Sequence, residues 1–182
     1  MPSWARIATR SRVPLGFLFA GAFIWFAHPG WKSVAAGWVI VVAGLLVRAT
    51  ASGHIRKNAE LTTTGPYAYV RNPLYLGSIL IAIGFMVAAR NWWIALGAAA
   101  MFLFIYVPVV RAEEKYLRAT FVEYGEYSAR VSSFWPRATA YRSGDNHVAM
   151  FSRELYLRHR EYNALIGSVL VLSVLILKIF WA

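Results

Sequence analysis

The sequence predicts an all-α, polytopic membrane helix bundle, and three observations support this prediction. Hydrophobic residues make up 59% of the 182 residues, and the mean hydropathy is +0.49. Both values lie above the norm for soluble proteins. The apolar residues are collected into five runs, and most charged residues lie between those runs. The chain contains no cysteine, which excludes a disulfide framework and a thiolate metal site.

The five runs predict five spans, with short cytoplasmic interfacial helices between some of them. They cover about residues 13–27, 33–50, 74–89, 92–110 and 164–182. A helix rises about 1.5 Å per residue, so the last two runs can cross roughly 30 Å of hydrocarbon. The first three are short or end on a charge, and they require snorkelling side chains or a locally thinner bilayer. We expect one membrane domain over residues 1–182, with the first run retained as a helix rather than cleaved as a signal peptide.

Two tight turns separate neighbouring runs. The segment HPGWK joins the first two runs, and its Pro29 and Gly30 break the helix. Trp25 and Trp31 flank this turn, at the positions where tryptophan anchors a helix at the membrane interface. The segment ARNWW forms an equally short turn between the third and fourth runs.

The distribution of positive charge predicts the orientation in the membrane. Of the 19 basic residues, all but Lys32, Arg90 and Lys178 lie on one side of the predicted spans. Cytoplasmic loops carry an excess of Lys and Arg, so we expect a cytoplasmic N-terminus and an external C-terminus. All eight acidic residues fall in the same cytoplasmic segments. We therefore expect the functional site on the cytoplasmic side.

The first cytoplasmic segment of interest is TTTGPYAYVRNPLYLG, which leads into the third run. Gly65 followed by Pro66 makes a turn, because glycine tolerates unusual dihedrals and proline fixes φ. Pro73 keeps Asn72 out of helical geometry and suits the first turn of the next helix. The amides that open this helix favour an anion, and Arg71 stands beside them. A well-capped helix start with interfacial tyrosines is the alternative interpretation.

The second segment, VPVVRAEEKYLRATF, closes the fourth run. Pro108 is expected to kink or widen the end of that helix. Adjacent carboxylates on a helix point about 100° apart. One of Glu113 and Glu114 can therefore face inward while the other pairs outward, for example Glu114 with Arg118. Two acids at the mouth of a bundle would hold a cationic amine, although an ordinary charged helix end has the same sequence pattern.

The third segment, FVEYGEYSARVSSFWPR, repeats apolar residues at helical spacing, namely Tyr124, Tyr127, Val131 and Phe134. This spacing predicts a short amphipathic helix that either lies on the membrane surface or covers a pocket. Together the three segments supply an anion site, a cation site and aromatic surface. A zwitterionic amino-acid group joined to an aromatic base, as in S-adenosylmethionine, would satisfy all three.

The three segments in this order resemble the isoprenylcysteine carboxyl methyltransferases and the related phospholipid N-methyltransferases. The similarity covers about residues 45–137, and its core is the family pattern Arg-His-Pro-x-Tyr-x-Gly followed by Glu-Glu. Residues 138–163 form a basic cytoplasmic segment, in which SRELYLRHREY is expected to be a membrane-surface helix. Residues 164–182 then form an extra C-terminal span.

The resemblance implies an integral membrane enzyme that uses S-adenosylmethionine. No metal site is expected, because the four histidines are scattered and show no ligand spacing. The residues carried over as cofactor-binding are Gly65, Pro66, Tyr67, Arg71, Asn72, Pro73, Tyr75, Gly77, Glu113 and Glu114. Asn72 stands where the family usually has His, and it keeps a donor and an acceptor but cannot carry a proton. The catalytic residues are expected to be Arg71, Glu114 and Arg130.

A lipid or lipidated acceptor is expected, arriving laterally from the bilayer. A carboxylate acceptor is already ionised at neutral pH and needs only a nearby cation, for which Arg130 or Arg111 is the candidate. A lipid amine must first lose a proton, and the candidate bases are a glutamate or His54. The missing His at position 72 favours the carboxylate. Anionic lipid headgroups are expected at the basic loops, nucleic acid is not expected as a partner, and the oligomeric state is left open.

Two other functions fit parts of the sequence. A similar Arg-His-Pro-x-Tyr-x-Gly run occurs in NADPH-dependent sterol reductases, but an adenylate 2′-phosphate requires cations rather than an acidic pair. A non-catalytic membrane protein that binds anionic lipid headgroups would explain the charge. It would leave the glutamate pair and the two proline turns without a function.

Overall fold

The computed structural model describes residues 3–56, 60–142 and 150–181, with side chains described from residue 14 onward. These residues form eight α-helices and no strand, which confirms the all-α prediction. The helices are α1 (Ser3–Phe26), α2 (Trp31–Ser52), α3 (Pro73–Ala89), α4 (Trp92–Met101), α5 (Val107–Thr120), α6 (Tyr124–Arg130), α7 (Arg153–Arg158) and α8 (Tyr162–Trp181). A 3₁₀ turn over Gly65–Ala68 precedes α3, and a π-helical turn over Phe102–Tyr106 joins α4 to α5.

All five predicted runs are helical. Three helices are long and apolar enough to cross a membrane: Trp31–Ser52, Trp92–Thr120 and Tyr162–Trp181. The apolar helices Pro14–Phe26 and Pro73–Ala89 are shorter. Leu18, Val39 and Leu170 are among the large apolar side chains that point away from the bundle. A surface of this kind suits contact with lipid.

Helix α2 packs closely and antiparallel against α3 through two pairs of glycines. Gly37 faces Gly84 and, one heptad further along, Gly44 faces Gly77. A Cβ atom placed on Gly44 would lie 2.6 Å from the Gly77 carbonyl oxygen. Small residues allow two helix backbones to approach this closely, as is common between membrane helices. Gly77, expected at the cofactor, is therefore a helix-packing residue.

Pro108 widens the helix that contains it, as the sequence predicts. A proline ring clashes with the carbonyl group four residues earlier, which here belongs to Phe104. The turn before the proline adopts π geometry, and the Val107 amide donates to the Phe102 carbonyl oxygen. The result is one long helix with a wide turn in its middle, and π turns of this kind are frequent at functional sites.

The two ends of the bundle differ in chemistry. At one end α1 and α3 finish and α2 and α4 begin, and Lys178 of α8 caps α1 by donating to the carbonyls of Ile24 and Trp25, at 2.7 Å each. Lys32 and Arg90 share this end. The opposite end carries the other described basic and acidic side chains, and we call it the polar end. Its location on the cytoplasmic side stays a prediction.

Candidate functional site

The motif segment 62–72 is held in place by the chain that follows α6. Three backbone amides donate to carbonyls across this contact: Arg71 to Ser132 at 2.9 Å, Arg137 to Tyr69 at 3.0 Å and Tyr141 to Ala68 at 2.9 Å. The Tyr127 hydroxyl adds a bond of 2.7 Å to the Tyr67 carbonyl. These bonds fix the turn that presents Tyr67 and Arg71.

The aromatic residues of α6 form a small core rather than a membrane-binding face. Tyr124, Tyr127 and Val131 are at most 2% exposed and pack against Leu117 and neighbouring apolar side chains. Burial raises the pKa of the Tyr124 and Tyr127 hydroxyls, since it disfavours the phenolate. Both tyrosines line a cavity. Of the two interpretations of this helix, the pocket-covering one agrees with the structure.

That cavity, the polar cavity, has a volume of about 540 Å³ and lies at the polar end. Among the described residues, its charged lining consists of three cations, Arg48, Arg56 and Arg71, and three anions, Glu60, Glu113 and Glu161. Its aromatic lining residues are Tyr67, Tyr75, Tyr106, Tyr116, Phe121, Tyr124 and Tyr127. Charges of both signs beside aromatic rings suit a zwitterionic ligand that carries a flat base.

The two adjacent glutamates of α5 point to different places. Glu114 does not line the cavity; its Oε1 accepts from the Asn72 amide at 2.9 Å and from the Ser133 hydroxyl at 2.8 Å, and lies 3.5 Å from the Arg71 guanidinium. We call these four residues the Glu114 cluster. Glu114 therefore pairs inward, and the suggested outward pair with Arg118 is wrong. These contacts fix the relative positions of the Asn72 and Arg71 side chains.

Glu113 lines the polar cavity and accepts a hydrogen bond of 3.1 Å from the Tyr75 hydroxyl. A helix carries adjacent residues about 100° apart, which lets Glu113 face the cavity while Glu114 points into the Glu114 cluster. The member of the pair that is available to a ligand is Glu113.

Two buried polar atoms at the cavity have no hydrogen-bond partner among the described residues. They are the Tyr67 hydroxyl and Arg71 Nε. Burial raises the pKa of Tyr67, and the nearby Glu113 carboxylate adds to this effect. An unsatisfied buried polar group is costly, so each of these atoms marks a position where a ligand group would gain a hydrogen bond.

Several predicted site residues lie outside the wall of the polar cavity. Gly65 has a φ of 58°, which forms the turn, and a Cβ there would collide with the His54 ring. His54 is not in the cavity wall, and its Nδ1 contacts the Thr50 carbonyl at 2.7 Å. Arg130 pairs with Glu126 on the surface, with both side chains 62% exposed, and Arg111 is also exposed. The cavity wall also leaves out Pro66 and Gly77.

This placement gives no support to the expected catalytic role of Arg130, which stays a prediction. The i,i+4 spacing on α6 pairs Arg130 with Glu126 on the exposed surface of that helix. The predicted residues that do line the cavity are Tyr67, Arg71, Asn72, Pro73, Tyr75 and Glu113. Sequence reasoning missed Arg48 and Glu161. A charge at the end of the second apolar run was the available signal for Arg48.

A second, apolar cleft of about 290 Å³ adjoins the polar cavity. Its walls come from α1, α3, α4 and the π turn, and include Phe19, Ile79 and Phe102. Three residues line both spaces: Tyr75, Ser78 and Tyr106. The rings of Tyr75 and Tyr106 meet edge to face with centroids 6.3 Å apart. The π turn thus places Tyr106 at the boundary between a polar and an apolar compartment.

In the part of the chain that the structure describes, no group of three or more His, Asp or Glu side chains is placed to hold a metal ion. The chain is similar to the cobalt-zinc-cadmium resistance protein CzcN of Cupriavidus metallidurans, with 30% identity over 156 residues, 79% of this chain and 71% of the relative. It is also similar to the nickel-cobalt-cadmium resistance protein NccN of Alcaligenes xylosoxydans xylosoxydans, with 35% identity over 103 residues, 55% of this chain and 48% of the relative. No solved structure matches.

A family model described as phospholipid methyltransferase matches residues 18–124. The matched region runs from α1 to the start of α6 and contains the motif segment, both glutamates and the shared tyrosines. It agrees with the resemblance inferred from the sequence and not with the sterol reductase alternative. The chain is an integral membrane protein that belongs to the phospholipid methyltransferase family.

Proposed function

We propose that this protein transfers a methyl group from S-adenosylmethionine to the headgroup of a membrane lipid, and that the headgroup is a phospholipid amine. The observation that carries the proposal is the contact between the two compartments at Tyr75, Ser78 and Tyr106. The polar cavity suits a charged, water-soluble methyl donor, and the apolar cleft suits an acyl chain. A reaction between the two ligands would take place where the compartments meet.

The residues of the polar cavity fit the methyl donor. A volume of about 540 Å³ lies within the usual range of ligand sites, roughly 300–1,000 Å³. Arg71, with its unpartnered Nε, would hold the donor carboxylate, and Glu113 the ammonium. The tyrosine rings would stack on the base and face the sulfonium charge, which aromatic faces attract. The unpartnered Tyr67 hydroxyl adds a neutral hydrogen-bonding group.

The reaction requires the protein to position the two ligands more than to activate the methyl group. S-adenosylmethionine supplies a methyl group that is already activated on a sulfonium. The protein therefore has to hold two ligands in line and exclude water, which are effects of orientation and desolvation. Tyr75 is suited to this, since it is fixed by the Glu113 hydrogen bond and the Tyr106 ring.

The choice of an amine rests on the charge at the boundary. Neither Arg111 nor Arg130, the cations expected beside a carboxylate acceptor, lines the cavity. Arg48, which contacts Ser78 at the boundary, is already paired with Glu161. Glu113 is there instead, bound to Tyr75. Its negative charge would favour a cationic amine over a carboxylate at the boundary, and the amine would lose its proton to water before attack. For this reason the preference for a carboxylate acceptor is replaced by a preference for an amine.

The test is methyl transfer from labelled donor by purified protein in vesicles, offered either phosphatidylethanolamine or a prenylated cysteine. We expect label in the phospholipid headgroup and a rate that rises between about pH 6 and 9, as the amine loses its proton. Glu113→Gln should abolish most of this rate, whereas Glu126→Gln, on the exposed face of α6, should not. A base-labile methyl ester on the prenylated cysteine would establish a carboxylate acceptor instead. Absence of transfer to either lipid would contradict the proposal.

A further inference from the structure

Glu161, which lies beyond the family match, reaches the wall of the polar cavity from the start of α8. Its carboxylate accepts from Arg48 Nε at 3.0 Å and from Arg48 Nη2 at 2.8 Å. The two residues are 113 positions apart, and the Glu161 side chain is only 11% exposed. A two-point contact between a guanidinium and a carboxylate fixes the plane of the arginine fork.

The remaining guanidinium nitrogen of Arg48 holds the beginning of α3. Nη1 donates to the Leu74 carbonyl at 3.2 Å and to the Ser78 hydroxyl at 2.5 Å. The same turn of α3 carries Tyr75, and Ser78 and Tyr75 are two of the three residues shared by the polar cavity and the apolar cleft. Glu161 is therefore connected to the boundary between the two compartments through a single intermediate side chain, Arg48.

Docking of α8 does not depend on this ion pair alone. At the opposite end, Lys178 caps α1, and Leu175 is fully buried in the core formed with Phe23 and Ala27. Near Glu161, His159 Nδ1 contacts the Ser52 carbonyl at 3.1 Å. An ion pair that only anchored α8 would repeat what these other contacts already do. What distinguishes it from them is the link through Arg48 to α3.

We propose that Glu161 is a positioning residue for methyl transfer, which orients Arg48 so that the first turn of α3 keeps Tyr75 and Ser78 at the boundary between donor and acceptor. The proposal rests on the proposed function and extends it to the C-terminal helix. On this basis α8 is a working part of the site and not only a membrane anchor.

The variant that tests it is Glu161→Gln, which keeps the shape and removes the charge. Its matched control is Glu154→Gln on the exposed face of α7. Amide hydrogen exchange of residues 74–78, measured without any ligand, should be several-fold faster in Glu161→Gln and unchanged in the control. Calorimetry with S-adenosylmethionine should show roughly tenfold weaker binding for Glu161→Gln only. Exchange and binding equal to the parent protein in both variants would overturn the proposal.

A charge swap separates positioning from anchoring. Arg48→Glu combined with Glu161→Arg rebuilds an ion pair between α2 and α8, but it leaves no donor at position 48 for Leu74 and Ser78. We expect the swap to recover thermal stability while exchange at residues 74–78 stays fast and binding stays weak. Full recovery of exchange protection and binding would show that the pair is an anchor, and would overturn the proposal.

If Glu161→Gln does not fold, Glu161→Asp keeps the charge with a shorter reach and should show the same faster exchange to a smaller degree. If the parent protein does not bind S-adenosylmethionine, the proposed function fails, while exchange at residues 74–78 still decides whether Glu161 holds α3. The two failures are therefore distinguishable.

Discussion

Asn72 and Glu114, which are 42 positions apart in the sequence, are joined by a hydrogen bond of 2.9 Å from the amide to the carboxylate. Asn72 precedes α3, yet its side chain does not cap that helix. It donates to Glu114 and to Ser133 instead. Together, these two hydrogen bonds connect the motif segment, α5 and the chain after α6. These are the three segments that the sequence singles out.

A carboxylate at position 72 should disrupt this connection. We expect Asn72→Asp to lower S-adenosylmethionine affinity by more than about tenfold. The substitution replaces the amide that donates to Glu114 with a second carboxylate, and the two negative charges would repel each other. Asn72→His, with a ring N–H that can donate to Glu114, should retain binding. Asn163→Asp adds the same charge at an exposed position of α8 and serves as the control. Binding of Asn72→Asp at the parental affinity would contradict the assigned role of Glu114.

The two glutamates of α5 should respond differently to the same substitution. Glu113→Gln should weaken cofactor binding about tenfold with an unchanged unfolding midpoint, since Glu113 faces the cavity. Glu114→Gln should also lower the free energy of unfolding by roughly 1.5–3 kcal/mol, the usual range for hydrogen bonds to a charged group. Calorimetry and thermal unfolding in the same detergent measure both effects. Identical behaviour of the two variants would mean that the acids are not divided between the cavity and the Glu114 cluster.

The contact of α2 with α3 predicts a clear difference between two glycines. A Cβ atom on Gly84 would lie 2.5 Å from the Gly37 carbonyl oxygen, whereas one on Gly167 of α8 would meet no atom within 4 Å. Gly84→Ala should destabilise the protein by about 1–3 kcal/mol through overpacking. Gly167→Ala should be neutral or slightly stabilising, because alanine is the better helix former. Equal unfolding midpoints for the two variants would argue against this close contact.

Alkaline pH should destabilise the fold through its buried tyrosines. Burial raises the pKa of Tyr127 above the ordinary value of about 10, so the folded state keeps its proton longer than the unfolded state. The corresponding stability is fully present below about pH 10 and is lost as the pH rises further. Tyr127→Phe should therefore reduce the slope of stability against pH above that value. Tyr162→Phe, at a more exposed position, is the control, and an unchanged slope in Tyr127→Phe would refute the prediction.

The orientation in the membrane can be tested with single cysteines, because the natural chain has none. Trp92→Cys, at the turn between α3 and α4, should react with an impermeant maleimide added to intact cells. Trp135→Cys, at the polar end, should react only after the membrane is opened. Both tryptophans are largely exposed, so access is not limited by burial. The reverse pattern of labelling would place the polar end outside.

The sequence by itself determined the features that depend on local rules. Apolar runs of sufficient length predict helices whatever their neighbours are, and all five are helical. The proline at position 108 predicts a kinked or widened helix, and the turn before it is widened. The motif segment and Glu113 could be assigned to one site because both belong to the residue pattern that carries the family resemblance.

Only the tertiary structure decided which side chains meet. Helix geometry requires Glu113 and Glu114 to diverge, but which of them faces the cavity depends on how α5 packs against Asn72 and Ser133. Gly77 sits within the motif yet serves the contact with α2, and Arg130 looked suitable by charge yet lies on the exposed face of α6. The ion pair of Arg48 with Glu161 joins residues too distant in sequence for any periodic pattern to connect. Hydrophobic periodicity and residue propensity predict structure over a few helical turns. The site is formed by packing between helices, and the sequence pattern does not specify which helices are neighbours.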